Sequence, residues 1–365
     1  MKLSVYAQKL GITYRTAWSY FQQGMIPGAY QTPTGTIIVP IEAPQHKEIV
    51  DIMKFIYDPR FLDLPGAGVH LHRPHEIVLK SLYSGTIGNQ NLALSPEDWF
   101  WLKNNENAGD NHYTLEKLKH KEQCRSNGVP FRFTEMVMAV GRRSGKTTLR
   151  SLISAYEAYK LLVINNGDAH EYYNIPEEKQ LHIIGVSPTL DLSTQALNDL
   201  RVHFKRSPFF ASRISHDTQT SISLMSDWNL HMNANRGSIN VVCGSNHKSL
   251  RGYPAVCVIF DEIDFFNEGQ LLFDSLLPSV APFNEKNSGL VVSLSSISLH
   301  KGLNGALSRR AAVGLQPQSS TLLFRMPTWV VNPDLPETCA TLTEAKKINP
   351  KLYSIEFGAE WPEDI

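Results

Sequence analysis

Short apolar runs alternate with helix-like segments from residue 135 onward. Continuous apolar runs predict strands that are buried on both faces of a sheet, and the segments between them predict helices that cover it. The predicted strands are 135–140, 181–186, 239–243, 255–260, 290–295 and 321–325, and the predicted helices are 146–164 and 190–204. This order predicts an α/β fold with a mainly parallel sheet flanked by helices.

The first forty residues follow a different pattern. Ser4 is expected to cap a helix over 5–10, which Gly11 breaks, and Thr13 is expected to cap a second helix over 14–23, which ends at Gly24. The apolar segments 29–31 and 36–39 flank Pro-Thr-Gly, which predicts a small hairpin or wing. We therefore predict a separate helix-turn-helix module over residues 1–40.

The region between the module and the sheet is rich in proline. We interpret 41–75 as a connector with one short helix over 46–57, and 76–365 as the second domain, which begins with helical stretches such as 96–102 and a surface loop at 104–112. His70, His72 and His75 lie close together in the connector. Side chains in such a segment are expected to be solvated rather than bound to a metal.

Composition narrows the class of protein. Of 365 residues, 42% are hydrophobic and 19% charged, and 35 Lys and Arg balance 35 Asp and Glu, as in an ordinary soluble protein. Attraction to DNA would therefore depend on local clusters of basic residues. The four cysteines form no CxxC pair, and no apolar run is long enough to cross a bilayer, so neither a zinc site nor a membrane segment is predicted.

A phosphate-binding loop is predicted where the strand 135–140 meets the helix 146–164. The loop reads Gly141-Arg-Arg-Ser-Gly-Lys-Thr-Thr148, and we expect Gly141, Arg143, Ser144, Gly145, Lys146, Thr147 and Thr148 to bind ATP. Backbone amides and the helix N-terminus attract phosphate, Lys146 neutralises the β and γ oxygens, and the Thr147 hydroxyl can bind Mg²⁺. The strict pattern would place glycine at Val140, so the loop is a variant.

Two adjacent acids end the apolar run 255–260. In a parallel sheet the carboxyl ends of strands form the ligand edge, so Asp261 is expected to bind Mg²⁺ through its water shell and Glu262 to deprotonate the attacking water. Alternatively, the pair caps the following helix. The phosphate loop in the same predicted sheet favours the catalytic interpretation.

These motifs resemble the large terminase subunits of tailed phages, the motors that package DNA into proheads, from about Leu94 to the C-terminus. Terminase loops similarly depart from the strict glycine pattern and carry an arginine four residues before the lysine, a position that Arg142 holds, so the resemblance implies a catalytic role for Arg142. Gln195-Ala196 resembles the next helicase-like motif. The resemblance implies a P-loop NTPase fold of the ASCE, RecA-like type.

Two further residues gain a role from this resemblance. Ser249-Leu-Arg-Gly252 is terminase-like, and an arginine there is proposed to reach the ATP of a neighbouring subunit, which makes Arg251 either such a finger or a partner in a structural salt bridge. Ser295 and Ser296 resemble the coupling motif that senses the γ-phosphate, although serines also end strands in unrelated proteins.

The same resemblance implies partners and a location. The expected partners are double-stranded DNA, a portal or prohead and a small terminase subunit, within a homo-oligomeric ring in the cytoplasm of an infected bacterium. The stretch 355–361 resembles the link to the terminase nuclease, and because the chain stops four residues later, no nuclease activity is expected.

The N-terminal module instead resembles the winged helix-turn-helix of excisionases and MerR-type regulators, in Tyr14-Arg-Thr-Ala-Trp18 followed by Gly24-Met-Ile-Pro-Gly28. In that fold Ala17, Trp18 and Phe21 face the core, since they share one side of the helix. The residues expected to face the DNA major groove are Arg15, Thr16, Ser19 and Tyr20. The alternative is a protein-contact domain.

Together these features predict an ATP-driven DNA translocase with a DNA-reading module. Two alternatives stay open: another DNA-directed ATPase, such as a helicase or a transposition regulator, and a DNA-binding regulator that nucleotide merely switches. The first would share both nucleotide motifs, whereas the second would bind ATP without turnover.

Overall fold

The structure is a computed structural model that describes residues 2–9, 12–24, 26, 29–39, 48–226, 237–246 and 249–364. Its helices in these ranges are α1 Leu3–Lys9, α2 Tyr14–Gln22, α3 Ile52–Tyr57, α4 Arg73–Tyr83, α5 Pro96–Asn104, α6 Asn111–Ser126, α7 Lys146–Gly167, α8 Ala169–Tyr173, α9 Leu190–Arg206, α10 Pro208–Ala211, α11 Gly269–Leu276, α12 Ala281–Asn284, α13 Ala306–Gly314, α14 Thr328–Val331, α15 Ala340–Ile348 and α16 Pro350–Glu356. Its strands are β1 Tyr30–Gln31, β2 Ile37–Ile38, β3 Glu135–Val140, β4 Leu181–Val186, β5 Ile214–Asp217, β6 Ser221–Leu224, β7 Ile239–Gly244, β8 Ala255–Asp261, β9 Leu290–Ser295 and β10 Thr321–Met326.

Eight of these strands form one sheet in the order β10-β3-β9-β8-β4-β7-β6-β5. The six strands predicted from apolar runs are all present and pair in parallel, which confirms the α/β architecture. The sheet continues beyond β7 with two antiparallel strands, β6 and β5, which were not predicted. Their sequences alternate polar and apolar residues over only four positions each, a weak signal for a strand.

Helices cover both faces of this sheet. The larger core lies between one face and α7, where buried side chains such as Leu152, Tyr156 and Ile183 pack together. On the second face Val137 and Val258 of the sheet pack in one cluster with Phe273 of α11 and Leu307 of α13. Because the six parallel strands are buried on both sides, their inward and outward residues are alike apolar, which is why continuous apolar runs marked these strands correctly.

The region that we interpreted as a connector is partly built into this core. Ile52, Phe55 and Ile56 of α3 are fully buried and pack with α7, and the Asp51 side chain caps α3 by accepting a hydrogen bond from Lys54 N. The predicted helix therefore begins at Ile52 rather than at residue 46. Residues 46 and 47 lie outside the described residues. Because burial of its apolar side chains is favourable, α3 belongs to the core, although the prolines around it are typical of a connector.

The N-terminal module has a small core of its own, formed by Leu3, Ala7, Ala17, Ile26, Ile37 and Val39. Thr13 caps α2 as predicted, with its side chain accepting a hydrogen bond from Thr16 N, and β1 pairs with β2 in the predicted hairpin. The predicted inward orientation of Trp18 is wrong: its side chain is 45% exposed, whereas Ala17 is fully buried. The inner face of α2 is formed by Ala17 with the partly buried Tyr20 and Phe21, and Trp18 lies outside that face.

No helix in the described part of the chain is long and apolar enough to cross a membrane.

Candidate nucleotide-binding site

The order of the strands brings the predicted motifs to one edge of the sheet. Strand β9 lies between β3 and β8 and pairs in parallel with both, so the carboxyl ends of these three strands meet. The phosphate loop follows β3, Asp261 and Glu262 end β8, and Ser295 ends β9. This is the edge at which ligands bind in open parallel sheets.

The phosphate loop adopts a conformation that only certain residues tolerate. Arg143 has φ 62° and Gly145 has φ 80°, both in the left-handed region, and α7 begins at Lys146. Glycine is needed at 145 for a second reason, since a Cβ there would lie 2.6 Å from His75 Nε2. Val140, which replaces the first glycine of the strict pattern, belongs to β3 and pairs with Met326.

Lys146 lies at the centre of the site. Its side chain is only 8% exposed, and its ammonium donates to Ser296 Oγ at 2.9 Å and lies 3.4 Å from Glu262 Oε1. A lysine in this position can reach phosphate oxygens held by the loop. The structure thus brings the predicted phosphate ligand, the predicted base and one predicted coupling serine into direct contact.

Glu262 is held by the strand between it and the phosphate loop. Its Oε2 accepts a hydrogen bond from Ser296 N at 2.9 Å and one from Ser295 Oγ at 3.2 Å. Its backbone has φ 54°, which is uncommon for a residue other than glycine. Such strain persists where surrounding contacts impose it, and it is concentrated at functional sites.

Asp261 has a partner that the sequence analysis missed. Arg150, which is 4% exposed, donates from Nη1 to Asp261 Oδ2 and to Ser187 Oγ, each at 2.8 Å. Burial raises the pKa of Asp261 and the neighbouring Glu262 adds to the rise, although the Arg150 charge opposes both effects. A bound cation would relieve the cost of keeping this carboxylate charged.

Asp264 organises the chain beyond the two serines. This buried carboxylate accepts hydrogen bonds from Ser298 N at 2.9 Å and Leu307 N at 3.4 Å, and the Asp264 N–H donates to Ser295 Oγ at 3.4 Å. It therefore links the end of β8 to the loop after β9 and to the start of α13.

The two arginines predicted to act in catalysis have different surroundings. Arg142 is half exposed, with Nη1 3.4 Å from Glu356 Oε2, so its side chain is paired within the chain. Arg251 is exposed and forms no ion pair with any residue in the described ranges. Those ranges therefore do not support the alternative that Arg251 makes a structural salt bridge. Neither position shows where a neighbouring subunit would lie.

The loop fits a polyphosphate and Mg²⁺. In the described part of the chain no hydrogen bond occupies the N–H groups of Arg143, Ser144 and Gly145, and the Ser144 hydroxyl is buried without a partner. Free, clustered N–H groups are donors for phosphate oxygens. Thr147 is exposed at the first turn of α7 and Asp261 ends β8, so a threonine hydroxyl and a carboxylate are available as oxygen ligands. Thr148 is half-buried in the same turn.

His70 is exposed as predicted, whereas the other two histidines of the connector do not match their predicted solvation. His75 is 4% exposed, and its Nε2 lies 2.7 Å from the carbonyl oxygen of Ser144, while His72 Nε2 lies 3.3 Å from Asp334 Oδ2. The His70 and His72 rings are in edge-to-face contact. Among the described residues no group of three or more His, Cys, Asp or Glu side chains is arranged to hold a metal ion.

In the N-terminal module only one of the four predicted DNA contacts is freely exposed. Arg15 is exposed, whereas the Thr16 hydroxyl bonds to Thr13 Oγ1 at 2.8 Å and the Ser19 hydroxyl accepts from Gln23 Nε2 at 2.9 Å. Tyr20 is half-buried against the module core, so its ring is not free to enter a groove. The exposed aromatic side chains of α2 are instead Tyr14 and Trp18.

The strand order, the loop between β3 and α7 and the acids at the end of β8 together define a P-loop NTPase fold. Within that class the chain belongs to the family described as "Uncharacterized protein MJ0330, N-terminal P-loop domain", which matches residues 109–357. The N-terminal module lies outside this match, and its winged helix-turn-helix character stays a prediction.

Solved structures of phage large terminases are similar to the chain in fold. The ATPase domain of the Thermus phage P74-26 large terminase, as the R139A mutant, is 16% identical with a TM-score of 0.45, covering 74% of this chain and 100% of that one. The same domain without the mutation is 16% identical with a TM-score of 0.43, and the match covers 74% of this chain and 99% of that one. The HK97 bacteriophage large terminase is 15% identical with a TM-score of 0.44, and the match covers 66% of this chain and 49% of that one.

These similarities concern the fold alone and assign no activity to this chain. No match was found among curated proteins.

Proposed function

We propose that this chain hydrolyses ATP and uses the hydrolysis to move double-stranded DNA, as the motor domain of a packaging terminase large subunit. One observation carries the proposal. A phosphate loop with free N–H groups, Lys146 and the acid pair Asp261–Glu262 meet at one sheet edge, with Ser295 and Ser296 between them. This is the set of groups that phosphoryl transfer to water requires.

Each side chain has a distinct task in this proposal. The loop N–H groups and Lys146 hold the β- and γ-phosphates, and Glu262 accepts the proton of the attacking water. Thr147 and Asp261 would hold Mg²⁺, which would supply positive charge against the negative charge that develops on the phosphate oxygens. Arg150 fixes the Asp261 carboxylate, and Ser187 in turn bonds to Arg150.

The contacts of Lys146 suggest how the base is released. Lys146 lies 3.4 Å from Glu262, and Ser296 N donates to the same carboxylate. A γ-phosphate would compete for the Lys146 ammonium, which frees one Glu262 oxygen to accept a proton from water. Ser296, bonded to both groups, would register the change, consistent with a coupling role for Ser295 and Ser296.

The motor role rests on residues beyond the nucleotide cradle. Arg142 occupies the terminase-like position before Lys146, and Arg251 is an exposed arginine suited to reach a neighbouring subunit in a ring. In this proposal the ring assembles on a portal or prohead in the host cytoplasm, with or without a small terminase subunit. The N-terminal module, which carries Lys2, Lys9 and Arg15 and no acid in its first 39 residues, contacts DNA.

The test is ATP turnover by the whole chain with and without duplex DNA, combined with displacement of a third strand from a DNA triplex. We expect DNA-stimulated turnover and ATP-dependent displacement, both lost in Lys146→Ala and retained in Lys347→Ala, an exposed lysine on α15. Turnover without displacement would favour another DNA-directed ATPase. ATP binding without turnover, even with DNA and proheads, would favour the nucleotide-switched regulator.

A further inference from the structure

Three successive carbonyl groups of the phosphate loop are each held from outside by a side chain. Thr328 Oγ1 donates to Arg142 O at 2.8 Å, Asn332 Nδ2 donates to Arg143 O at 2.8 Å, and His75 Nε2 lies 2.7 Å from Ser144 O. We call Thr328, Asn332 and His75 the loop anchors. Their partners are consecutive in sequence, whereas the anchors come from two distant parts of the chain.

This arrangement determines where the loop N–H groups point. A trans peptide is planar, so a carbonyl and the N–H of the next residue point in opposite directions. Carbonyls 142, 143 and 144 are turned outward to the anchors, so the N–H groups of 143, 144 and 145 are turned away from them. These three N–H groups bond to nothing in the described ranges.

Two of the three anchors are packed tightly enough to hold that orientation. Thr328 is fully buried and His75 is 4% exposed. A Cβ on Gly141 would lie 2.2 Å from Thr328 Oγ1, and one on Gly145 would lie 2.6 Å from His75 Nε2, so both ends of the loop press directly on an anchor. The backbone of Glu356 adds a fourth contact, accepting from Arg142 N at 2.7 Å.

The protonation of His75 suits this role. Burial lowers its pKa, and Nδ1 is buried with no hydrogen-bond partner in the part of the chain that the structure describes. A neutral ring with its proton on Nε2 donates to Ser144 O and leaves no buried charge beneath the loop.

We infer that Thr328, Asn332 and His75 are positioning residues that preset the phosphate loop to bind a nucleoside triphosphate through its polyphosphate. The inference rests on the proposed ATPase function and deepens it, since it assigns the preformed site to side chains outside the loop. His75 also lies outside residues 109–357, the range that the family match covers. Preorganised donors bind an anion without a cost for rearranging the loop.

The experiment measures binding of two probes, inorganic tripolyphosphate and a non-hydrolysable ATP analogue, by calorimetry on the whole chain. Thr328→Val removes the donor at constant volume, and Thr328→Ser keeps it. For the histidine, His75→Leu removes the donor, and His75→Gln keeps one near the Nε2 position. The matched control is Thr321→Val, because Thr321 is also buried and donates to Glu135 Oε2 at 2.9 Å, at the opposite edge of the sheet.

We expect Thr328→Val and His75→Leu to raise the Kd of both probes by about fivefold to tenfold, as loss of one buried hydrogen bond predicts. Thr328→Ser and His75→Gln should bind within about twofold of the wild type. Thr321→Val should lower the melting temperature and leave the Kd unchanged. A Kd equal to that of the wild type in both donor-free variants would overturn the inference, as would an equal loss of affinity in Thr321→Val.

The two proposals fail in different ways. If the wild type binds tripolyphosphate but does not hydrolyse ATP, the proposed ATPase function is wrong. In that case, weaker tripolyphosphate binding by the donor-free variants would still support the loop anchors. Normal turnover together with unchanged Kd values in those variants refutes only the loop anchors. Absence of probe binding by the wild type refutes both.

Discussion

Arg150 and Asp261 form a buried pair, with Nη1 2.8 Å from Oδ2 and side-chain exposures of 5% and 14%. Arg150 lies one helical turn after Lys146 on α7, so one helix presents the predicted phosphate ligand and the residue that holds the predicted metal ligand. The nucleotide site and the stability of the domain therefore share a residue.

Replacing Arg150 with methionine should cost stability through Asp261. Removing one partner of a buried pair leaves an uncompensated charge, which typically costs about 3–5 kcal/mol. We expect Arg150→Met to lower the free energy of unfolding by that amount in urea titrations at pH 7. The double variant Arg150→Met/Asp261→Asn should recover most of the loss, and a double variant as unstable as the single one would show that Arg150 acts by packing.

Glu262→Gln should separate binding from turnover. The amide keeps the size of the side chain but cannot accept the proton of water, so we expect turnover to fall by roughly 100-fold or more. The Kd for ATP should change little, since the loop and Lys146 are intact. Steady-state turnover and equilibrium binding check this, with the exposed Glu268→Gln as the control. Nearly normal turnover in Glu262→Gln would remove this residue from the role of base.

Lys121 makes the stability of the domain depend on pH. Its ammonium is buried, lies 4.8 Å from the Phe133 ring centre and donates to Ser81 O at 2.9 Å, and burial lowers the pKa of Lys121 to about 7. The pKa in the folded state is below the ordinary value of 10.5, so the unfolded chain binds the proton first, and stability is lost as the pH falls from about 10.5 to about 7 and changes little below that.

Lys121→Met should remove this pH dependence. The free energy of unfolding of the wild type in urea should fall from roughly pH 9 to pH 7, by up to about 1.4 kcal/mol per pH unit, and level off below about pH 7. The methionine variant should lose less stability over the same range. If both proteins show the same slope, Lys121 does not titrate in this range.

Arg251 can be tested for action across subunits. If Arg251 acts on the ATP of a neighbouring subunit, Arg251→Ala subunits mixed with wild type should lower DNA-stimulated turnover by more than the fall in the fraction of wild-type subunits predicts. Mixing with Arg309→Ala, another exposed arginine, provides the control. Activity that falls only in proportion to the wild-type fraction would count against a role in trans.

The exposed face of α2 predicts which changes weaken DNA binding. Arg15→Ala should weaken binding of duplex DNA by the whole chain and reduce the slope of log K against log salt by about one, the signature of one lost phosphate contact. Thr16→Ala should bind normally, because its hydroxyl bonds to Thr13. Gel shifts across salt concentrations measure both, and an unchanged slope in Arg15→Ala would favour the protein-contact alternative.

Much of the sheet could be predicted because its strands are buried on both faces. Three strands have the predicted bounds, namely Glu135–Val140, Leu181–Val186 and Leu290–Ser295. The helix predicted to end at 164 loses helical geometry at Ile164, where ψ is 140°. Strands β5 and β6 are short and partly exposed, so they lack the continuous apolar run that marks the others.

Local motifs identified the loop and the acid pair, whereas contacts distant in sequence stayed hidden. Arg150 could have been found, since it lies one turn after Lys146 on the helix that the motif itself predicts. His75, Thr328 and Asn332 give no local signal, because their partners lie 69, 186 and 189 residues away. The orientation of Trp18 was mispredicted because helical periodicity alone does not say how wide the buried stripe is.

The loop anchors are far in sequence from the loop that they hold, and this separation affects when the site can form during synthesis of the chain. A ribosome that has made the loop sequence has not yet made Thr328 or Asn332, so the growing chain carries the motif before it carries the site. Contacts between distant segments form late because closing a long loop costs entropy. Nucleotide binding would then mark the moment at which the domain is complete, and bound nucleotide would stabilise the whole domain by mass action.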